Sequence, residues 1–190
     1  MKVLTVIAHP RRDSLTFAAA NCFIEGLREA GHETEVLDLY RTNFNPMLWE
    51  ADEPDWLAAS QQYSPEVEWE MERMTRQDGL AFVFPLWWWS MPAVMKGYID
   101  RVWNYGFAYG SGKLTHQHVL WLTLAGAPVE RFEKRGYDKM IDHYFNGGLA
   151  DYCGISSSNV KMLYETIREN PEKKERLLDS AYLSGRHYGQ

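Results

Sequence analysis

Hydrophobic positions along the chain alternate between short unbroken apolar runs and stretches with an apolar residue every three or four places. Residues 3–8, VLTVIA, form such a run, closed by His9-Pro10. Its length suits a strand covered on both faces, as in a parallel sheet. Over residues 15–30 the period lengthens, and Phe17, Ala20, Phe23, Ile24 and Leu27 fall on one helical stripe. Asp13 or Ser14 can cap that helix and Gly31 can end it. Residues 32–40 alternate and predict a second strand through Val36, Leu37 and Leu39. Residues 41–64 carry no clean period and predict an irregular loop with room for one short helix. Ser64-Pro65-Glu66 supplies a cap, a proline in first position and an acid in the first turn, predicting a helix to about residue 77.

A third strand follows over 79–84. After FPLWWWSMP, Pro92 opens a helix through Val94, Met95, Tyr98, Ile99 and Val102, with Lys96 and Asp100 placed to pair. Residues 106–117 are a Gly-rich loop, 118–124 a fourth strand, and AGAP ends it. Residues 138–152 read as a helix weakened by Gly147-Gly148. A short fifth strand over 160–164 and a charged helix over 172–183 complete the pattern. Strict alternation of strands and helices predicts an α/β fold, with a five-stranded parallel sheet, helices on both faces and strand order 2-1-3-4-5. With no repeat or linker, residues 1–190 read as a single domain.

Composition narrows the function classes. The net charge is −6, from 20 basic and 26 acidic residues, which argues against a nucleic-acid partner. The first residues, MKVLTVIAHP, read as a strand and not a signal peptide. Cys22 and Cys153, distant and in apolar surroundings, read as two buried free thiols of a cytoplasmic protein. Three consecutive tryptophans, Trp87, Trp88 and Trp89, cannot all face one way, because neighbours diverge on a strand and on a helix alike. At least one is expected to face solvent or cover something flat.

Open sheets of this order bind ligands beyond the carboxyl ends of their strands, where the strand order reverses. Three loops lie there: HPRRDSLT, PLWWWSMP and TLAGAP. The first enters a helix N-terminus, where unpaired amides and the helix dipole favour an anion. Ser14, Thr16, His9, Arg11 and Arg12 can contribute. An ordinary capped helix with two solvated arginines reads equally well, and neither a P-loop nor a GxGxxG motif is present. The second loop offers aromatic faces, and the third offers small residues and the Thr123 hydroxyl. Together they fit a flavin mononucleotide unit, although the tryptophans could instead fill core or form a dimer interface.

Four stretches carry a resemblance: VIAHPRRDSLTFAAA, LDLYRTNFNPML, FPLWWWSMPAVMKGYIDRVWNYGFAYG and TLAGAP. They resemble the flavodoxin-like NAD(P)H:quinone oxidoreductase family, DT-diaphorase and the small bacterial quinone reductases, well over residues 2–127 and weakly beyond. The resemblance implies a flavin phosphate and ribityl chain held by His9, Ser14, Leu15 and Thr16. It implies an isoalloxazine held by Pro85, Leu86, Trp87, Trp88 and Trp89, largely through backbone groups, and closed over by Thr123 and Gly126. Trp88 and Trp89, with Phe107 and Tyr109, would form the stacking site used in turn by nicotinamide and quinone, at a homodimer interface.

This chain departs from the family after its fourth strand, where mammalian members carry TTGG and then a Tyr and a His. Arg135 and Tyr137 are the substitutes at hand for stabilising charge on reduced flavin; Arg135 could equally be a solvated charge. The long C-terminal extension of the mammalian enzymes is missing here, which leaves FAD and FMN both open, and LYRTNFNP tilts the expectation to FAD. The implied activity is two-electron transfer from NAD(P)H to a quinone by ping-pong exchange at one site. A second expectation is a regulatory role as the ancillary flavoprotein of a glutathione-gated potassium efflux transporter, which would place it at the inner membrane face through that partner. A plain electron carrier fits less well, because the aromatic walls replace an exposed, acidic flavin rim.

Overall fold

A computed structural model of the chain describes residues 1–58, 60–167 and 170–190. Five parallel strands form one sheet: β1 Lys2–Ile7, β2 Glu33–Asp38, β3 Gly79–Pro85, β4 His118–Leu124 and β5 Ser158–Leu163. Their order is β2-β1-β3-β4-β5, as the alternation predicts. β3 and β4 are buried along their whole length, which explains why both read as unbroken apolar runs.

Helices cover both faces. On one lie α1 (Leu15–Glu29) and α6 (Pro171–Arg186), packing Ala19, Phe23, Leu27 and Ala181 against Val3, Ala81 and Leu122. These two helices cross closely: a Cβ on Gly26 would lie 2.1 Å from the Tyr182 carbonyl oxygen, and one on Gly185 2.1 Å from that of Phe23. Only glycine fits at either position. The other face carries α2 (Pro65–Thr75) and α3 (Ala93–Val102), followed by α4 (Val129–Arg135) and α5 (Tyr137–Asp142). Their core joins Met74, Met95, Tyr98, Phe132 and Phe145 to Leu4, Phe82 and Trp121.

Local details refine the sequence reading. Ser14 caps α1, its Oγ accepting from Phe17 N at 3.3 Å. Ser64 precedes α2 but makes no side-chain cap; its hydroxyl instead accepts from Arg101 at 3.2 Å. The irregular segment 41–64, in which Ala59 lies outside the described residues, holds one short 3-10 turn, Glu50–Asp52. It is pinned by Arg101, which donates to the buried Asp52 at 2.7 and 3.0 Å and also bonds Glu66 and the Asn45 carbonyl. Lys96 pairs with Asp100 as the spacing predicts.

The predicted helix over 138–152 is instead α5 followed by a π-helical stretch, His143–Asp151, that contains Gly147-Gly148. Cys153 is buried, with its thiol pushed up to about 11 by that burial, whereas Cys22 is only half-buried on α1. Among the described residues no helix is long and apolar enough to cross a membrane.

Candidate active site

Register places the site. Ile7 pairs with Val83 and Pro85 with Leu124, so β1, β3 and β4 end nearly level and their loops leave the same edge. That edge flanks the point where the strand order reverses.

The β1 loop runs into α1. The Leu15 and Thr16 amides open the helix with no intrahelical acceptor, at the positive end of its dipole. Ser14 and Thr16 are buried. The His9 Nδ1 lies 3.1 Å from the Arg11 backbone, which fixes the ring and turns Nε2 away from that contact. Burial holds the imidazole below its ordinary pKa, against a raising contribution from the Arg11 hydrogen bond. Arg41 reaches this loop from the end of β2, donating to the carbonyls of His9 and Pro10.

The β3 loop is a tight turn. Leu86 N donates to Leu124 O at 2.9 Å, and then Trp87 and Ser90 exchange two backbone hydrogen bonds of 3.0 and 3.1 Å. Between them Trp88 and Trp89 both have left-handed backbones, φ +52° and +59°. Two-residue turns with two positive φ values favour Asn-Gly. A left-handed L-residue costs roughly 1–2 kcal/mol. The turn sends Trp87 towards His9, ring centroids 6.2 Å apart, and Trp89 onto Tyr137 at 4.7 Å, with Trp88 edge-on to Trp89 at 6.0 Å. Trp88 stands 88% exposed.

The β4 loop supplies small residues. Thr123 lies within β4 and is wholly buried, so it sits beneath the crevice instead of lining it; its Oγ1 has no partner among the described residues. Gly126 is partly open, and the Ile167 side chain lies over it: a Cβ there would meet Ile167 Cδ1 at 2.3 Å. Ile167 itself is 79% exposed, a surface cover and not core. The segment carrying it is tied back by Glu165 N and Thr166 N, which donate to Ala127 O and Ala125 O, both at 3.1 Å.

Two cavities adjoin these loops. One, about 360 Å³, is lined by Trp89, Ala127, Arg131, Phe132, Arg135 and Tyr137. Arg135 and Tyr137, singled out from the sequence, therefore meet Trp89 at one cavity. The other, about 490 Å³, lies between the starts of α1 and α6, where Arg11, Leu15, Ile167, Asn170, Lys173 and Lys174 meet.

Phe107 and Tyr109 are not brought to the tryptophans within the chain. Tyr109 packs on Tyr105 and Tyr152, with centroids 5.8 and 6.0 Å away, and Phe107 lines a separate cavity with Tyr63, Met71 and Tyr105. Arg41, Arg131 and Ile167 join the site although the sequence reading does not mark them. Arg131 had a legible signal, standing four places before Arg135; Ile167 had none.

The residues fit a flavin. Free helix amides suit its phosphate, and an aromatic turn facing small residues suits its ring. A doubly wound α/β sheet with a crevice at its strand switch point is the architecture in which nucleotide cofactors bind. The chain belongs to the flavodoxin-like fold family, whose profile matches residues 1–183. It is 44% identical over 167 residues to the uncharacterized NAD(P)H oxidoreductase YcaK of Escherichia coli K12, covering 87% of this chain and 85% of that one. Rat NAD(P)H dehydrogenase [quinone] 1 is 25% identical over 202 residues, covering 94% and 74%. Among solved structures, the NAD(P)H:quinone oxidoreductase from Methanothermobacter marburgensis superposes with TM-score 0.93 at 33% identity, covering 100% of this chain and 98% of that one.

Proposed function

We propose that this protein is a flavin-dependent NAD(P)H:quinone oxidoreductase that holds FAD and works as a homodimer. The observation that carries the reading is the juxtaposition, on one sheet edge, of the open α1 amides and the Trp87–Ser90 turn. The names of the relatives at 44% and 33% identity favour the same chemistry.

When bound, the flavin would supply two-electron redox chemistry between a nicotinamide and a quinone. The chain's residues bind and orient. His9, Ser14, Leu15 and Thr16 would hold the phosphate and ribityl end. Pro85, Leu86 and Trp87 would present backbone groups to the ring, with Gly126 as its floor and Thr123 supporting that floor from beneath. Trp88 and Trp89 would stack the exchanging substrates and exclude water. Arg135 and Tyr137, at the Trp89 cavity, would offset negative charge by preorganised electrostatics.

FAD is favoured over FMN by the cavity of about 490 Å³ between the starts of α1 and α6, which has room for an adenosine half and, with Lys173 paired to Glu165, leaves Lys174 and Arg11 to meet a second phosphate. A second copy of the chain is favoured by the exposed apolar run Met47, Leu48, Trp49, Trp56 and Leu57. It is also favoured by the separation of Phe107 and Tyr109 from Trp89, since a partner could bring them to the stacking site.

The test is the visible spectrum of the purified protein, followed by anaerobic NADPH and then a quinone. Flavin bands that bleach and return, with parallel initial-rate lines, are expected. A protein that takes up neither FAD nor FMN overturns the reading, and intersecting lines overturn the single shared site.

A further inference from the structure

Arg41 lies on the turn after β2, outside the three crevice loops, yet its guanidinium holds the β1 loop. One terminal nitrogen donates to His9 O at 2.8 Å and the other to Pro10 O at 2.7 Å. Nε stands 3.6 Å from the Asp38 carboxylate, and the guanidinium carbon lies 5.6 Å from the centre of the Phe17 ring in the first turn of α1. The side chain is largely covered.

The planar fork of an arginine can bridge two adjacent carbonyls while a third edge meets a carboxylate; a lysine ammonium has three donors too, but they diverge from a single nitrogen and do not reproduce that spacing. Drawing the His9 and Pro10 carbonyls onto Arg41 keeps those negative dipole ends committed away from the mouth of α1. Asp38 meanwhile offsets much of the arginine's charge, and it is also approached by Arg12 at 3.8 Å. The contribution of Arg41 to an anion nearby is therefore geometric more than Coulombic.

We infer that Arg41 is a positioning residue for the phosphate end of the cofactor: it presets the His9–Ser14 loop so that the α1 amides are open to a phosphate before one arrives. The inference rests on the flavin reading above. It assigns a role to a residue that would touch no part of the ligand.

The test compares flavins with and without a phosphate. Apoprotein of the wild type, Arg41→Lys, Arg41→Gln and Arg41→Ala is titrated with FMN, FAD and riboflavin by quenching of flavin fluorescence, and each apoprotein is melted. For all three variants the FMN and FAD dissociation constants should rise about tenfold or more. Riboflavin should stay within about twofold, and the melting temperature should stay close to wild type. Parallel weakening of riboflavin and FMN would mean a general structural role and overturn the inference. So would full retention of FMN affinity in Arg41→Lys, which would mean that charge alone suffices. Arg41→Gln and Arg41→Lys keep part of the aliphatic stem, so the comparison survives if Arg41→Ala does not fold. Wild-type protein that binds no flavin would remove the functional reading itself, a result distinct from either of these.

Discussion

Trp88→Ala separates function from folding in this chain. The indole is 88% exposed, so only about an eighth of it is covered, and its main contact is the edge of Trp89 at 6.0 Å. A tryptophan side chain buries up to about 250 Å² when fully covered. An eighth of that, at about 25 cal/mol per Å², is worth roughly 0.8 kcal/mol. The aromatic edge contact adds about 0.5–1 kcal/mol, and the left-handed backbone strain is the same for alanine as for tryptophan. The loss should therefore stay near 1–2 kcal/mol, a fall in melting temperature of about 2–8 °C for a chain of this size. Trp88→Asn should lose still less, because asparagine adopts the left-handed conformation more readily. By contrast Trp121→Ala, at a position with no exposure, should cost about 3–5 kcal/mol.

The assay pairs thermal melts of the apoprotein with steady-state quinone reduction. We expect kcat/KM for the quinone to fall at least tenfold in Trp88→Ala. A melting-temperature loss as large as that of Trp121→Ala would refute the exposed turn. Unchanged turnover would refute the stacking role.

Three further outcomes test the framework around the site. Arg101→Ala should cost about 3–5 kcal/mol by stranding the buried Asp52. Burial raises the Asp52 carboxyl, but hydrogen bonds from Ser64 and Arg101 outweigh it and hold the group below the usual carboxylate range. A depressed folded pKa adds stability that is complete above about pH 4 and lost as pH falls through the folded value; chemical denaturation from pH 5 down to pH 2 should show this acid loss shrinking in Arg101→Ala. Gly97→Ala puts a Cβ 2.1 Å from the Pro46 carbonyl oxygen, so α3 must back away from the 41–64 segment; a loss of about 1–3 kcal/mol is expected in urea. Thr123→Val removes a buried hydroxyl that has no partner among the described residues, and the apoprotein should gain about 1 kcal/mol in the same assay; a comparable loss would mean that the hydroxyl is bonded.

Much of this architecture is legible because parallel strands buried on both faces are written as continuous apolar runs, and β1, β3 and β4 each have one. The place of the crevice then follows from strand order alone. What escapes the sequence depends on contacts between distant positions. Arg41 meets His9 across 32 residues, and no periodicity announces that. The Trp88-Trp89 turn contradicts local preference, since that geometry is normally bought with asparagine and glycine. α4 was missed although Pro128 before it, Glu130 in its first turn, Lys134 and Arg135 in its last, and Gly136 after it mark a helix; with Phe132 as its one fully buried residue, it has no apolar stripe to find. The π-helical turns likewise leave no trace beyond Gly147-Gly148.

The crossing of α1 and α6 at Gly26 and Gly185 reaches further than packing. Twelve residues of α-helix, about 18 Å, separate Gly26 from the Ser14 cap. A rod gripped backbone to backbone at its far end cannot swivel at its near end. The direction of the Leu15 and Thr16 amides is thus set by how α1 packs on α6. Enlarging either glycine should therefore loosen the amide-bearing start of α1, about 18 Å away.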